Sequence, residues 1–144
     1  MGVHNLSEYV AYHQVKLRQE QTRTHSQSTS PPIPSRKAGV NPIRSKSSYD
    51  TSIINAPQGQ LVILDCFATW CGPCKTIAPV VVKFSEEFSN AAFYKVDVDE
   101  APDVAQELGI RAMPTFVLFK NGEKVAEVVG ANGQALKAAI EKNI

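Results

Sequence analysis

Residues 61–67, Leu-Val-Ile-Leu-Asp-Cys-Phe, form an apolar run broken by one acid, Asp65, and a helix-like segment opens within a few residues of its end. This stretch constrains the fold more than any other. Its length and continuous apolar character suit a strand buried on both faces, which needs layers packed above and below it. The rest of the chain supplies them. Val40–Arg44 has the length of a short edge strand, and Ser47-Ser48-Tyr49-Asp50 is a capping-box-like helix start. Cys74–Ser89 carries Ile77, Val80, Val81, Phe84 and Phe88 at helical spacing, with a bend expected where Pro79 removes a hydrogen bond. Ala92–Val98 is a second strand ending in acids, and Pro102–Leu108 a short helix closed by Gly109. Thr115–Lys120 and Glu123–Val129 flank Asn121-Gly122, the preferred pair for a type I′ hairpin turn. Gly130 closes that strand, and Gln134–Ile140 is a final amphipathic helix. The order β-α-β-α-β-α-β-β-α predicts an α/β sandwich: a central mixed sheet, parallel where strands alternate with helices, antiparallel at the terminal hairpin.

Charge divides the chain into two parts. Residues 1–48 hold seven Lys/Arg and two Glu, a balance of +5, whereas the remainder stands at −4. The domain boundary is therefore placed between a basic N-terminal extension, residues 1–38, and a body, residues 39–144. Within the extension, Asn5–Gln21 has a rough helical stripe, and Gln21–Pro34 is polar and proline-bearing with little to bury, so disorder is expected there. A basic, hydroxyl-rich leader resembles an organelle transit peptide, although Glu8 and Glu20 go against the acid-poor composition of such leaders. The expected location is cytoplasmic, with a mitochondrial alternative if the extension is a transit peptide. No apolar stretch approaches the roughly 18 residues of a membrane span, so no membrane partner is expected. Lysines scattered singly over the body argue against a nucleic-acid surface. The expected oligomeric state is a monomer.

At the junction of strand and helix stand Cys71 and Cys74, with Gly72 and Pro73 between them. Three uses are open to such a pair: a metal clamp, a structural disulfide, or a reactive dithiol. A structural zinc wants four ligands, and the remaining cysteine is Cys66 while His4, His13 and His25 all lie in the extension. A structural disulfide over so short a loop removes little chain entropy. The reactive use fits the position best. Cys71 falls at a helix N-terminus, where free N–H groups and the helix dipole favour a thiolate, and the thiolate is the nucleophile. Cys74, one turn on, can reach Cys71 to close a disulfide, and Pro73 suits the first turn because its missing N–H costs nothing there.

Trp70-Cys71-Gly72-Pro73-Cys74, Asp65 six residues before Cys71, Arg111-Ala112-Met113-Pro114-Thr115, the Asn-Gly hairpin and Gly130 together resemble the thioredoxin family, over roughly Val40 to Ile144. The wording DCFATWCGPC is most similar to fungal-type members. The resemblance implies a thioredoxin fold and a protein-disulfide reductase, with Cys71 as nucleophile, Cys74 as resolving thiol and a redox-active Cys71–Cys74 disulfide. It implies that Asp65 is a buried acid/base beneath the dithiol, with Lys95 nearby. Gly72, Pro73 and Lys95 would tune activity. Trp70, Met113, Pro114 (as a cis proline) and Gly130 would form, with Gly72 and Pro73, the surface on which substrate peptides dock. Cys66, on the opposite face of Asp65's strand, reads as a packed core thiol. The implied partners are an NADPH-dependent thioredoxin reductase and disulfide-bearing proteins of the peroxiredoxin, methionine sulfoxide reductase and ribonucleotide reductase type. No bound cofactor or metal is expected. Two rival readings are an oxidising or isomerising enzyme of the same fold, and a non-catalytic module that docks through the same groove.

Overall fold

The computed structural model describes residues 39–144. The expected helical stripe of Asn5–Gln21, the expected disorder of Gln21–Pro34 and the extension as a whole lie outside the described residues. The elements run β1 (Asn41–Ile43), α1 (Lys46–Tyr49, continued by a π-helical turn Asp50–Ile54), β2 (Leu61–Phe67), α2 (Gly72–Glu87), β3 (Ala92–Asp97), α3 (Pro102–Leu108), β4 (Thr115–Lys120), β5 (Glu123–Val129) and α4 (Gly133–Asn143). This is the expected order, and a five-stranded mixed sheet of the thioredoxin fold results, ordered β1-β3-β2-β4-β5. β1, β3 and β2 are mutually parallel, whereas β4 runs antiparallel to both β2 and β5.

β2 is the middle strand, and its alternation assigns the two faces of the sheet. Val62, Leu64 and Cys66 pack with Tyr49, Ile53 and Val104, from α1 with its π turn and from α3. Leu61 and Ile63 pack with Ile77, Val81 and Phe84 of α2 and Leu136 and Ile140 of α4. Each fully buried Leu or Ile contributes about 1.5–3 kcal/mol by leaving water, so these two clusters are the main source of stability. The odd-numbered positions of β2 face α2. Asp65 is one of them, and so it lies under the start of that helix.

Local details shift some expected boundaries. The first helix is capped by Ser45, two residues earlier than expected: Ser48 N–H donates to Ser45 Oγ (3.1 Å) and Ser45 N–H to Ser48 Oγ (3.1 Å). Starting there leaves Asp50 free to pair with Lys46 one turn back (2.7 Å), rather than to cap. α2 begins at Gly72 rather than Cys74, because Cys71 is its cap, and α4 extends one residue earlier and three later than Gln134–Ile140. In the hairpin, Asn121 (φ 56°) and Gly122 (φ 76°) both occupy the left-handed region that a type I′ turn requires. Asn121 Oδ1 accepts from Gly59 N–H (2.7 Å), fastening the turn to the loop before β2.

Candidate active site

β2 ends at Phe67, and a tight turn carries the chain into α2, with Cys71 N–H donating to Ala68 O (3.1 Å). Cys71 is the N-cap of α2, with extended backbone (φ −85°, ψ 109°), and its sulfur accepts from Cys74 N–H (3.2 Å). The position expected to favour a thiolate is therefore occupied by a sulfur aimed at the helix amides. Cys71 and Cys74 are joined in a disulfide, their Cα atoms 5.3 Å apart. Both residues are 5% exposed. Burial thus does not separate them; the capping position of Cys71 does.

The loop before β4 closes over this pair. The Met113–Pro114 peptide is cis, as the resemblance implied. Met113 O lies 3.6 Å from Cys71 Sγ, and half-buried Met113 packs with Cys71, Cys74 and Ala68. Gly130 N–H donates to Pro114 O (2.8 Å), which ties the end of β5 to the same loop. Trp70 is 68% exposed, an unusual position for the largest apolar side chain, and Gly72 and Pro73 are exposed beside it. The Trp70 indole donates to Asp99 Oδ2 (2.9 Å), and Asp99 N–H donates to Asp97 Oδ1 (2.9 Å). Asp99 was not singled out from the sequence; the only signal was a second strand ending in acids.

Beneath the disulfide, a cavity of about 330 Å³ is lined by Asp65, Phe67, Cys74, Lys75, Ala78 and Lys95, among others. Asp65 is 6% exposed, and among the described residues its Oδ1 has no hydrogen-bond partner. Burial pushes its carboxyl up to about 7, against the pull of the Lys95 charge. Lys95 pairs with Asp65 in the β2–β3 register, with its ammonium 5.9 Å from the Phe67 ring. The two carboxyl-adjacent features expected from sequence, Lys95 beside Asp65 and Cys74 above it, thus meet in one cavity. Cys66 lies on the other face, fully buried, its thiol pushed up to about 12 mainly by burial. It packs there with Val62 and Leu64, as the core thiol expected from the sequence. Among the described residues, no three His, Cys, Asp or Glu side chains are grouped to hold a metal ion.

The thioredoxin family model matches residues 41–142. Thioredoxin-2 of Saccharomyces cerevisiae is 51% identical over 105 residues, covering 73% of this chain and 99% of that protein. The X-ray structure of Fasciola hepatica thioredoxin superposes with a TM-score of 0.70 at 36% identity, over 73% of this chain and all of that one. A yeast chain from a structure of the thiol resolving mechanism in mitochondrial 1-Cys peroxiredoxin via glutathione/thioredoxin systems matches with a TM-score of 0.66 at 36% identity, over 72% of this chain and 94% of that chain.

Proposed function

The chain belongs to the thioredoxin family and is a thiol–disulfide oxidoreductase; from that premise we propose the roles of its residues. The observation that carries them is a cap sulfur bonded to Cys74, beside a cavity that both Cys74 and the buried Asp65 line. In the reduced form the thiolate of Cys71 attacks one sulfur of a target disulfide. The target's other sulfur leaves as a thiolate, and a mixed disulfide forms. Asp65 then takes the proton of Cys74 through water in the cavity. A carboxyl poised near 7 suits that transfer at neutral pH. The Cys74 thiolate attacks Cys71 Sγ, the target leaves fully reduced, and the Cys71–Cys74 disulfide remains.

Docking falls to the rim. Trp70, held by Asp99, offers an aromatic face, while Gly72, Pro73, Met113, Pro114 and Gly130 leave room for a peptide backbone near Cys71. Lys95, with Gly72 and Pro73, tunes the reactivity of the pair. Two electrons return from NADPH through a thioredoxin reductase, so the domain needs no cofactor of its own. Targets are disulfide-bearing proteins; the peroxiredoxin described with the yeast relative supports that class, alongside enzymes of the methionine sulfoxide reductase and ribonucleotide reductase type. We place the protein in the cytoplasm as part of cell redox homeostasis, or in the mitochondrion if residues 1–38 are removed as a transit peptide. Mass-spectrometric mapping of the mature N-terminus decides between the two.

The roles of the cysteines are tested by separating them. Cys71→Ser should abolish reduction of a protein disulfide, because no nucleophile remains. Cys74→Ser should still attack but stall, accumulating covalent adducts on Cys71 that dithiothreitol releases. Absence of such adducts with Cys74→Ser would reverse the assignment.

A further inference from the structure

The sulfur-bearing side chains of the described residues are Cys66, Cys71, Cys74 and Met113, and they differ in how open they are to an oxidant. Cys66 is fully buried on the far face of the sheet. Cys71 and Cys74 are joined in a disulfide, so in this form neither presents a thiolate. Met113 is left. It is half-buried and packs with Ala68, Cys71 and Cys74. A thioether needs no deprotonation before it reacts with a peroxide, and the product is a polar sulfoxide. The backbone on either side of Met113 is held. Thr115 Oγ1 donates to Ala112 O (2.6 Å), and Gly130 N–H donates to Pro114 O (2.8 Å). Moving the loop away from the disulfide would break these bonds, so an oxygen added to Met113 stays in the apolar cover of Cys71 and Cys74.

We propose that Met113 is a modification site: in the disulfide form of the protein, peroxides oxidise it to the sulfoxide, which weakens the docking of target proteins. The sulfur attacks one peroxide oxygen, so that an S–O bond forms as the O–O bond breaks. The sulfur gives up two electrons, and the second peroxide oxygen leaves as water, or as an alcohol from an alkyl peroxide. No other reactant is needed. A methionine sulfoxide reductase supplied with a dithiol returns the two electrons and releases the oxygen as water. The modification stands on the exposure and packing of Met113. Its consequence rests on the docking role proposed for that residue above: a polar, chiral group replaces a flexible apolar one where the target meets the rim.

The disulfide form of the full-length protein is treated with hydrogen peroxide beside free methionine, and its peptides are then mapped by mass spectrometry. The chain has two methionines, Met1 and Met113, so the added oxygen is readily placed. One oxygen is expected on Met113 and none on the three cysteines. Dithiothreitol then opens the disulfide and leaves the sulfoxide, and the desalted protein is followed in single turnovers. The concentration of a protein disulfide that half-saturates the rate should rise about tenfold, with the maximal rate nearly unchanged, as when binding alone is lost. Reduction of a small aromatic disulfide, which needs no extended contact, should keep its rate. Methionine sulfoxide reductase should restore the original half-saturation. Met113→Leu, compared only with itself before and after peroxide, should show no change. Failure of Met113 to gain oxygen while free methionine is oxidised overturns the site and leaves the docking reading standing. A sulfoxide with unchanged half-saturation keeps the site and overturns the docking role of Met113. An equal loss in Met113→Leu would place the damage elsewhere and overturn the proposed consequence.

Discussion

Asp65 shows how one residue can be costly to the fold and useful to the chemistry. Its carboxyl titrates near 3.8 when unfolded and near 7 when folded, so between these values the native state holds the extra proton. Stability therefore falls as pH rises from about 4 to about 7, by up to about 4 kcal/mol, and the whole penalty is present above 7. Asp65→Ala should raise the melting temperature at pH 8, and that advantage should fade as pH falls through 7 and be gone below about 4. The same variant should slow resolution by Cys74 while leaving attack by Cys71 nearly unchanged in stopped-flow reduction of a disulfide substrate. A variant no more stable at pH 8 and equally fast would withdraw both the cost and the catalytic role given to Asp65. Asp65 was legible in the sequence because an acid inside LVILDCF has no solvated place to go. Asp99 was not, because its contact with the Trp70 indole joins loops 29 residues apart that no local pattern links.

At the scale of elements, the periodic segments were readable nearly to the residue. β2, α3 and the β4–β5 hairpin have the limits that their apolar runs, Gly109 and Asn121-Gly122 dictate. Helix starts were less legible, since Ser45, Ser47 and Ser48 offer competing caps and the one used depends on where Lys46 and Tyr49 must point. Lys46 reaches both Asp50 and Glu107 (2.7 Å each), joining α1 to α3, a tertiary reason absent from local sequence. The hairpin turn has a similar hidden constraint. Gly122 has φ 76°, and a Cβ there would come within 2.7 Å of Ile54 O, a backbone atom that cannot swing aside. Left-handed strain and that clash act together, so Gly122→Ala should destabilise the domain by about 2–4 kcal/mol in denaturant unfolding. Gly59→Ala provides the contrast: it too is left-handed (φ 81°), but among the described residues nothing lies within 4 Å of its added Cβ. It should cost only about 1 kcal/mol. Equal losses at the two glycines would mean that the backbone around Ile54 gives way to the added Cβ and that left-handed strain alone sets the cost.

At the scale of the whole molecule, the question is how much chain the activity requires. Every residue named in the core and at the active site lies at or after Gly39, and the family model begins at residue 41. A chain starting at Ala38 should therefore melt within a few degrees of the full-length protein and reduce disulfides at the same rate. β1 marks where this tolerance ends. It pairs in parallel with β3, in register from Asn41↔Tyr94 to Ile43↔Val96, and Ile43 is 3% exposed within the core. A chain starting at Ser45 loses that buried side chain and leaves the β3 edge unpaired, at about 2–5 kcal/mol or more. The two cysteines and Asp65 are on α2 and β2, and β2 is separated from β1 in the sheet by β3, so residual activity should follow the folded fraction rather than disappear outright. Thermal melts of the two truncated chains, read beside turnover at a temperature where both are folded, measure the boundary. A large loss on starting at Ala38 would mean that residues 1–37 contribute to folding or to the chemistry, and the division between a dispensable extension and a self-sufficient body would have to be withdrawn.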